Sequence, residues 1–158
     1  MTKQDEQFML RAIGLAQQGV DSNSGGPFGA VVVKNGGVVA EGCNRVTSDN
    51  DPTAHAEIVA IRNACRELNT FQLDGCTVYT SCEPCPMCLA AIYWARPEKI
   101  FFAATREDAA EAGFDDEMIY EEIAKGIGER RLPIVNLLRD KALDLFEYWK
   151  NKEDKTEY

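Results

Sequence analysis

A single histidine, a nearby glutamate and a pair of cysteines have the residue types and the spacing of a metal-dependent hydrolytic site. His55 is the only histidine in the chain, and Glu57 follows it two positions later. Cys85 and Cys88 stand at positions i and i+3, which on a helical turn places both sulfurs on one face. One imidazole and two thiolates fill three positions of a tetrahedral site, so the pattern predicts Zn²⁺ bound by His55, Cys85 and Cys88.

The fourth zinc position decides between structural and catalytic chemistry. A structural site closes it with another Cys or His, whereas a catalytic site leaves it to water. With no second histidine, only another cysteine could close it, and Cys82 is the first candidate because it extends the motif to C-x-x-C-x-x-C. A lone C-x-x-C also occurs in redox proteins, but H-x-E followed by P-C-x-x-C is the pattern of zinc deaminases. We therefore predict hydrolytic catalysis with Glu57 as the proton shuttle, and a three-thiolate cluster through Cys82 as the alternative.

Length and composition predict one soluble domain that spans residues 1–158. The chain is 45% hydrophobic and 27% charged, values typical of a globular protein with one well-filled core. Its longest apolar run, residues 88–95, is too short to cross a membrane, and its first residues do not have the pattern of a secretion signal, so we expect none. We expect a cytoplasmic protein with reduced cysteines and no membrane partner.

The charge balance argues against a nucleic-acid partner. Asp and Glu number 26 against 17 Lys and Arg, for a net charge of −9. Phosphate contacts need clustered basic residues, whereas the basic residues of this chain are interleaved with acidic ones. A small-molecule substrate is therefore favoured over a polynucleotide.

Apolar periodicity and turn residues predict an α/β fold with a central mixed five-stranded sheet flanked by helices. Helices are predicted at residues 5–19, 54–68, 86–94, 117–124 and 141–150. Strands are predicted at residues 28–34, 37–43, 77–81, 100–104 and 133–138, with a loop through Gly113 after the fourth. Asn35-Gly36 favours an antiparallel hairpin, and the strand-helix-strand order of residues 77–104 requires a parallel pair.

Both halves of the metal motif are predicted at helix starts. Asp51 and Thr53 have N-cap chemistry for the helix that contains His55 and Glu57 in its opening turn. Pro86 is typical of a first helical position, so Cys85 lies beside amide groups that favour its thiolate. The metal should therefore lie between two helix starts.

A wider set of motifs runs along the chain in a fixed order. These motifs are Gly25-Gly26-Pro27-Phe28-Gly29-Ala30, Asn44, His55-Ala56-Glu57, Cys82-Glu83-Pro84-Cys85-Pro86-Met87-Cys88, Phe114-Asp115-Asp116 and the terminal Tyr158. The set resembles the bacterial guanine deaminases of the cytidine-deaminase-like superfamily, over nearly the whole chain. The zinc motifs alone are shared with tRNA adenosine, cytosine and nucleotide deaminases, and the Phe-Asp-Asp segment and the terminal tyrosine narrow the resemblance further.

The resemblance implies a three-layer fold and the Zn²⁺-dependent hydrolysis of guanine to xanthine and ammonia. It implies a substrate-binding set in which Phe28 helps to form the purine slot, Asn44 hydrogen-bonds the base and Asp116 accepts from guanine N–H groups. The implied set also includes Ala56. It further includes Trp94, which would come from or border a partner subunit, and Tyr158, which would cover the pocket. It further implies a homodimer that exchanges its C-terminal segment, so that residues 151–158 would close an active site.

Each of these assignments has an alternative that the sequence leaves open. Phe28 and Trp94 could be core or dimer-contact residues, Asn44 a turn residue, and Asp115 or Asp116 a helix cap. A polar C-terminal tail is more often disordered. Two other functions also fit the zinc motif: deamination of another nucleobase or of tRNA adenosine, and a non-enzymatic interaction module stabilised by zinc.

Overall fold

A computed structural model describes residues 1–158 and divides them into two compact units, Met1–Glu117 and Met118–Tyr158. The helices that begin in the first unit are α1 Lys3–Asp21, α2 Val46–Asp49, α3 Ala56–Glu67, α4 Pro86–Ala95, α5 Arg106–Glu111 and α6 Glu117–Ala124. The strands are β1 Gly29–Lys34, β2 Gly37–Cys43, β3 Cys76–Cys82 and β4 Lys99–Ala104. The second unit also contains a short 3₁₀ helix, Ile127–Glu129, and α7 Arg139–Asn151. The prediction of a single domain ending in a closing tail stays a prediction.

One mixed sheet with the strand order β2-β1-β3-β4 forms the centre of the first unit. β1 is antiparallel to both β2 and β3, while β3 and β4 are parallel. The predicted hairpin turn lies at Asn35 and Gly36, whose φ angles of 52° and 76° are those that a two-residue primed turn requires. The mixed sheet flanked by helices is confirmed.

The predicted fifth strand is wrong, because the sheet has four strands and residues 133–138 form no regular element. A strand needs a neighbouring strand to satisfy its backbone groups, and Pro133 cannot donate to one. Leu138 has a φ of 55°, which turns the backbone out of the extended region just before α7.

Helices cover both faces of the sheet because the strand residues alternate between them. Val31 and Val33 face α1 and pack with Ala12 of that helix and with Tyr79 of β3. The opposite face is made by the neighbouring strand residues and by small residues of α3, namely Ala30, Val32, Val78, Ala56, Ala60 and Ala64. Alanines at every fourth position allow α3 to lie close to the sheet, which fixes the place where this helix begins.

Helix boundaries deviate from the predictions where local capping decides them. The side chain of Asp51 accepts from the Thr53 N–H at 2.8 Å and from its hydroxyl at 2.7 Å, which makes a turn before the helix. The predicted N-cap role of Asp51 and Thr53 is therefore wrong, and His55 is the N-cap of α3. The predicted loop through Gly113 is wrong in its first part, since Thr105 and Asp108 form a capping box that starts α5.

The helices are too short or too polar to cross a membrane. The longest of them, α1, contains charged residues along its 19 positions. No membrane-spanning helix is therefore present in the structure.

Candidate active site

Two helix starts bring the predicted metal ligands together. His55 is the N-cap of α3, and Glu57 is the second residue of that helix. Cys85 is the N-cap of α4, Pro86 is its first residue, and Cys88 follows in the same turn. Pro86 fits this position because its fixed φ suits a helix start and its missing N–H would have no partner there.

The three ligand atoms of His55, Cys85 and Cys88 all lie within 4.8 Å of one another. The Nδ1 atom of His55 is 3.5 Å from the Sγ atom of Cys85 and 3.5 Å from that of Cys88. Zinc bonds of ordinary length at tetrahedral angles would separate a nitrogen from a sulfur ligand by about 3.6 Å. The donor set and its spacing therefore fit Zn²⁺.

Contacts within this cluster prepare one thiol for metal binding. Hydrogen bonds from Cys88 and His55 lower the pKa of Cys85 to about 4, against the opposing effect of burial. The same contact with Cys85, together with burial, raises the pKa of Cys88. The hydrogen bond to Cys85 raises the pKa of His55. These shifts describe a thiolate that is stabilised by two donors, which a metal ion would replace.

Glu57 is buried beside the cluster, with 5% of its surface exposed. Its Oε2 atom accepts a hydrogen bond from the Cys88 thiol at 3.5 Å. Burial raises the pKa of Glu57, because an ionised carboxylate loses solvation there. A buried carboxyl group whose pKa is raised is suited to take up a proton from one group and pass it to another.

Cys82 is not part of the ligand group. Its Sγ atom instead donates to the backbone carbonyl of Thr105 at 3.5 Å. Burial is the main cause that raises its pKa to about 11, which favours the neutral thiol. The group of possible ligands consists of one imidazole and two sulfurs, and the alternative cluster through Cys82 has no support in this geometry.

A cavity of about 380 Å³ opens next to the cluster, within the size range of small-molecule sites. Six predicted site residues line it: Phe28, Asn44, His55, Glu57, Cys85 and Asp116. Its remaining lining residues are Gly26, Val46, Thr47, Cys82, Glu83, Arg106, Ala109, Gly113, Phe114 and Asp115. The lining residues all belong to the first unit.

Asn44 faces the cavity with a fixed amide orientation. Its Oδ1 atom accepts from the backbone N–H groups of Gly26 and Val46, each at 3.2 Å. The Asn44 residue is 6% exposed. Because the oxygen is occupied by two donors, the Nδ2 group is the part of the amide that can serve a ligand.

The two aspartates at the cavity differ in their local bonds. Asp115 accepts the Glu117 N–H at 3.0 Å, which is the capping role that the sequence left open for either residue. Asp116 is half-buried, and burial followed by the nearby Cys85 raises its pKa. Asp116 is therefore the stronger candidate for a ligand contact.

Other predicted residues lie elsewhere. Ala56 is fully buried in the core between α3 and the sheet. Trp94 lies near the end of α4 and is 65% exposed, and Tyr158, in the second unit, is 73% exposed. The cavity residues that sequence reasoning missed include Glu83 and Arg106, which are 23 positions apart. A hydrogen bond joins these two residues, and no motif or spacing in the sequence predicts it.

Residues 2–104 match the cytidine and deoxycytidylate deaminase zinc-binding region. A guanine deaminase from Bacillus subtilis is 57% identical over 97% of this chain and 98% of its own length. This chain belongs to the guanine deaminase family. Its cofactor is Zn²⁺, as the zinc-binding region and the His/Cys/Cys group together indicate.

Structural comparison agrees with this family. The X-ray structure of guanine deaminase from Bacillus subtilis has a TM-score of 0.95 and 56% identity, covering 100% of this chain and 99% of that one. A tRNA-specific adenosine deaminase from Aquifex aeolicus is 49% identical over 49% of this chain and 52% of its own length. The similarity to a guanine deaminase thus extends over a larger part of the chain, as expected for a family member.

Proposed function

We propose that this protein hydrolyses guanine to xanthine and ammonia. The observation that carries the proposal is one cavity that holds a zinc-compatible cluster, a buried carboxyl group and polar groups able to recognise a base. The 57% identity to a guanine deaminase along 97% of the chain supports guanine over other bases. The net charge of −9 also supports a small purine over a polynucleotide.

His55, Cys85 and Cys88 would hold the zinc ion. Bound zinc supplies Lewis-acid chemistry, which would lower the pKa of a bound water molecule to about 7. The lowered pKa of Cys85 supports its role as a thiolate ligand.

Glu57 would move the protons of the reaction. Its carboxylate would take one proton from the attacking water and give it to the ring nitrogen next to C2. It would then take the second proton from the hydroxyl group now on C2 and deliver it to the departing amine. The carbon–oxygen bond forms at C2 and the carbon–nitrogen bond breaks, so guanine and water become xanthine and ammonia. Positioned proton transfer of this kind contributes about a hundredfold to ten-thousandfold in rate.

Three cavity residues would recognise the base. Asn44 would donate from Nδ2 to a ring or carbonyl acceptor of guanine, because its Oδ1 already accepts two backbone bonds. Asp116 would accept from guanine N–H groups. Phe28 would pack on the purine, while its ring is held edge-on by Phe114 with centroids 4.9 Å apart.

A second copy of the chain would complete this site. The second unit exposes large apolar side chains, among them Ile123, Ile127, Leu132, Val135, Leu137, Leu145 and Phe146. Exposed apolar surface on this scale favours burial against a partner. We propose a homodimer that exchanges its C-terminal segment. In this dimer Tyr158 and Trp94 would contribute to the cavity of the neighbouring subunit, and the backbone of Ala56 would contact the substrate. The six free cysteines support a reducing compartment, the cytoplasm.

Ammonia release tests the reaction. Purified zinc-loaded protein is incubated separately with guanine, adenine, cytosine and their nucleosides, and ammonia is measured for each. We expect release from guanine above all others. Activity on cytosine alone, on adenosine alone, or on none of these would contradict the proposal.

A matched pair of variants tests the proton shuttle. Glu57→Gln should retain zinc and lose at least about a hundredfold in kcat, because the amide cannot carry the proton. Glu67→Gln, in the exposed last turn of the same helix, should retain full activity. Normal turnover by Glu57→Gln would refute the role of this residue.

A further inference from the structure

The candidate active site is built from the two chain segments that follow β3 and β4. The strands are parallel, and Cys82 and Ala104 are the last paired residues. The backbone contact continues one residue further, where the Glu83 N–H donates to the Ala104 carbonyl at 2.8 Å. After this point one chain segment leads to Cys85, and the other leads into α5.

Two side chains tie these departing segments together. The Cys82 thiol donates to the Thr105 backbone carbonyl at 3.5 Å, and the Glu83 carboxylate accepts from the backbone N–H of Arg106 at 3.3 Å. Arg106 is the first residue of α5, where backbone N–H groups have no partner within the helix. Glu83 therefore caps α5 from a different part of the chain, and its negative charge suits a helix start.

The segment that begins at Arg106 forms one wall of the cavity. Ala109, Gly113, Phe114 and Asp116 all line the cavity from this segment. The far part of the wall rests on Phe28 through the edge contact of Phe114. The Arg106 guanidinium lies 3.6 Å from the Glu117 carboxylate, so an ion pair joins the two ends of the wall.

We propose that Glu83 is a positioning residue that sets the place of this wall relative to the metal-binding turn. The capping box of Thr105 and Asp108 starts α5, and the bond from the Arg106 backbone N–H to Glu83 ties that start to the metal-binding turn. The position of α5 in turn sets where the chain returns to present Asp116. Glu83 lies two residues before Cys85, so the same short segment holds a metal ligand and the anchor of the base-recognition wall. The inference rests on the proposed function, in which Asp116 accepts from the base.

Steady-state kinetics of two Glu83 variants test the proposal on the zinc-loaded protein. Glu83→Ala removes the acceptor, and we expect it to raise the KM for guanine about tenfold with kcat changed by less than about threefold. Glu83→Gln keeps an oxygen that can accept the Arg106 N–H, so its KM should stay within about twofold of the wild type. Zinc content should be equal in all proteins, and Glu111→Ala, at the exposed end of α5, is the matched control.

A double-mutant cycle separates positioning from any direct contact of Glu83 with the base. In an Asp116→Asn background, the effect of Glu83→Ala on KM should shrink to less than about twofold, because the group that it positions is already altered. An undiminished effect in that background would overturn the proposed route through Asp116. An unchanged KM for Glu83→Ala in the wild-type background would overturn the positioning role altogether.

Failure of the inference is distinguishable from failure of the proposed function. A wild-type protein that releases no ammonia from guanine refutes the function. An active wild type whose KM is unchanged by Glu83→Ala refutes only the inference. If Glu83→Ala does not fold, Glu83→Asp withdraws the carboxylate by one methylene group and should raise KM in the same direction. An unchanged KM in that variant would also overturn the proposal.

Discussion

Gly25 is the position where one added methyl group should disturb base recognition most directly. A Cβ atom at this position would lie 2.2 Å from Oδ1 of Asn44 and 2.6 Å from its backbone oxygen. Non-bonded heavy atoms prefer separations of about 3.5 Å, so Gly25→Ala should push the Asn44 amide away by about 1.3 Å. The backbone oxygen of Asn44 would be displaced as well, so a rotamer change alone does not relieve the contact.

The expected loss follows from that displacement. Misplacing a substrate-positioning group by about 1 Å can reduce the rate about a hundredfold. Gly25→Ala should therefore lower kcat/KM for guanine about a hundredfold, or about 2.7 kcal/mol of transition-state stabilisation. Zinc content should not change, because the metal cluster lies on α3 and α4, outside this glycine turn.

The assay compares ammonia release over a range of guanine concentrations, with zinc measured by elemental analysis on the same samples. Gly14→Ala is the matched control, because a Cβ at Gly14 would have nothing within 4 Å. A Gly25→Ala protein whose kcat/KM equals that of the control, at equal zinc content, would refute the reasoning. It would show that the Asn44 amide either moves freely or does not touch the base.

Three further outcomes are expected. Removal of the metal by a chelator should abolish ammonia release and lower the unfolding temperature, and added Zn²⁺ should restore both; full activity of the chelated protein would contradict the metal assignment. Leu73→Ala should lower the free energy of unfolding by about 2–5 kcal/mol in urea titrations, because Leu73 is 0% exposed; a loss below about 1 kcal/mol would contradict this. Tyr79 donates to Asp5 at 2.6 Å and is the main cause that lowers the pKa of Asp5 below 3.8. This bond contributes to stability above pH 3.8, and the contribution is lost as the pH falls through the lowered pKa of Asp5. The loss of unfolding free energy caused by Tyr79→Phe should therefore be smaller at about pH 3 than at about pH 7. An equal loss at both pH values would contradict the pairing.

The local signals of the sequence predict most of the first unit. Asn35-Gly36 predicts the hairpin because its backbone preferences select one turn type, and the apolar runs that flank it predict the strands. The metal cluster is predictable for the same reason, since Cys85 and Cys88 share one turn and Pro86 marks its start. In each case the decisive interaction lies within a few residues.

Interactions between distant residues explain what the sequence does not predict. The stretch 133–138 has the apolar content of a strand, but the residues that would pair with it are not given by its own composition. The bond between Glu83 and Arg106 exists only because β3 and β4 end side by side, and neither residue belongs to a motif that predicts it. The helix boundary at His55 depends on competition between Asp51 and the helix for nearby N–H groups, which the composition alone leaves open.

The starts of α3 and α4 limit how far this protein can be stabilised by engineering. His55 and Cys85 occupy N-cap positions, and neither side chain makes a capping hydrogen bond. Serine or aspartate at such a position ordinarily adds about 0.5–2 kcal/mol, which would make these two positions attractive targets for thermostabilisation. Under the proposed function both replacements would remove a zinc ligand. Helix capping at these two positions therefore cannot be used to stabilise a variant that must remain active.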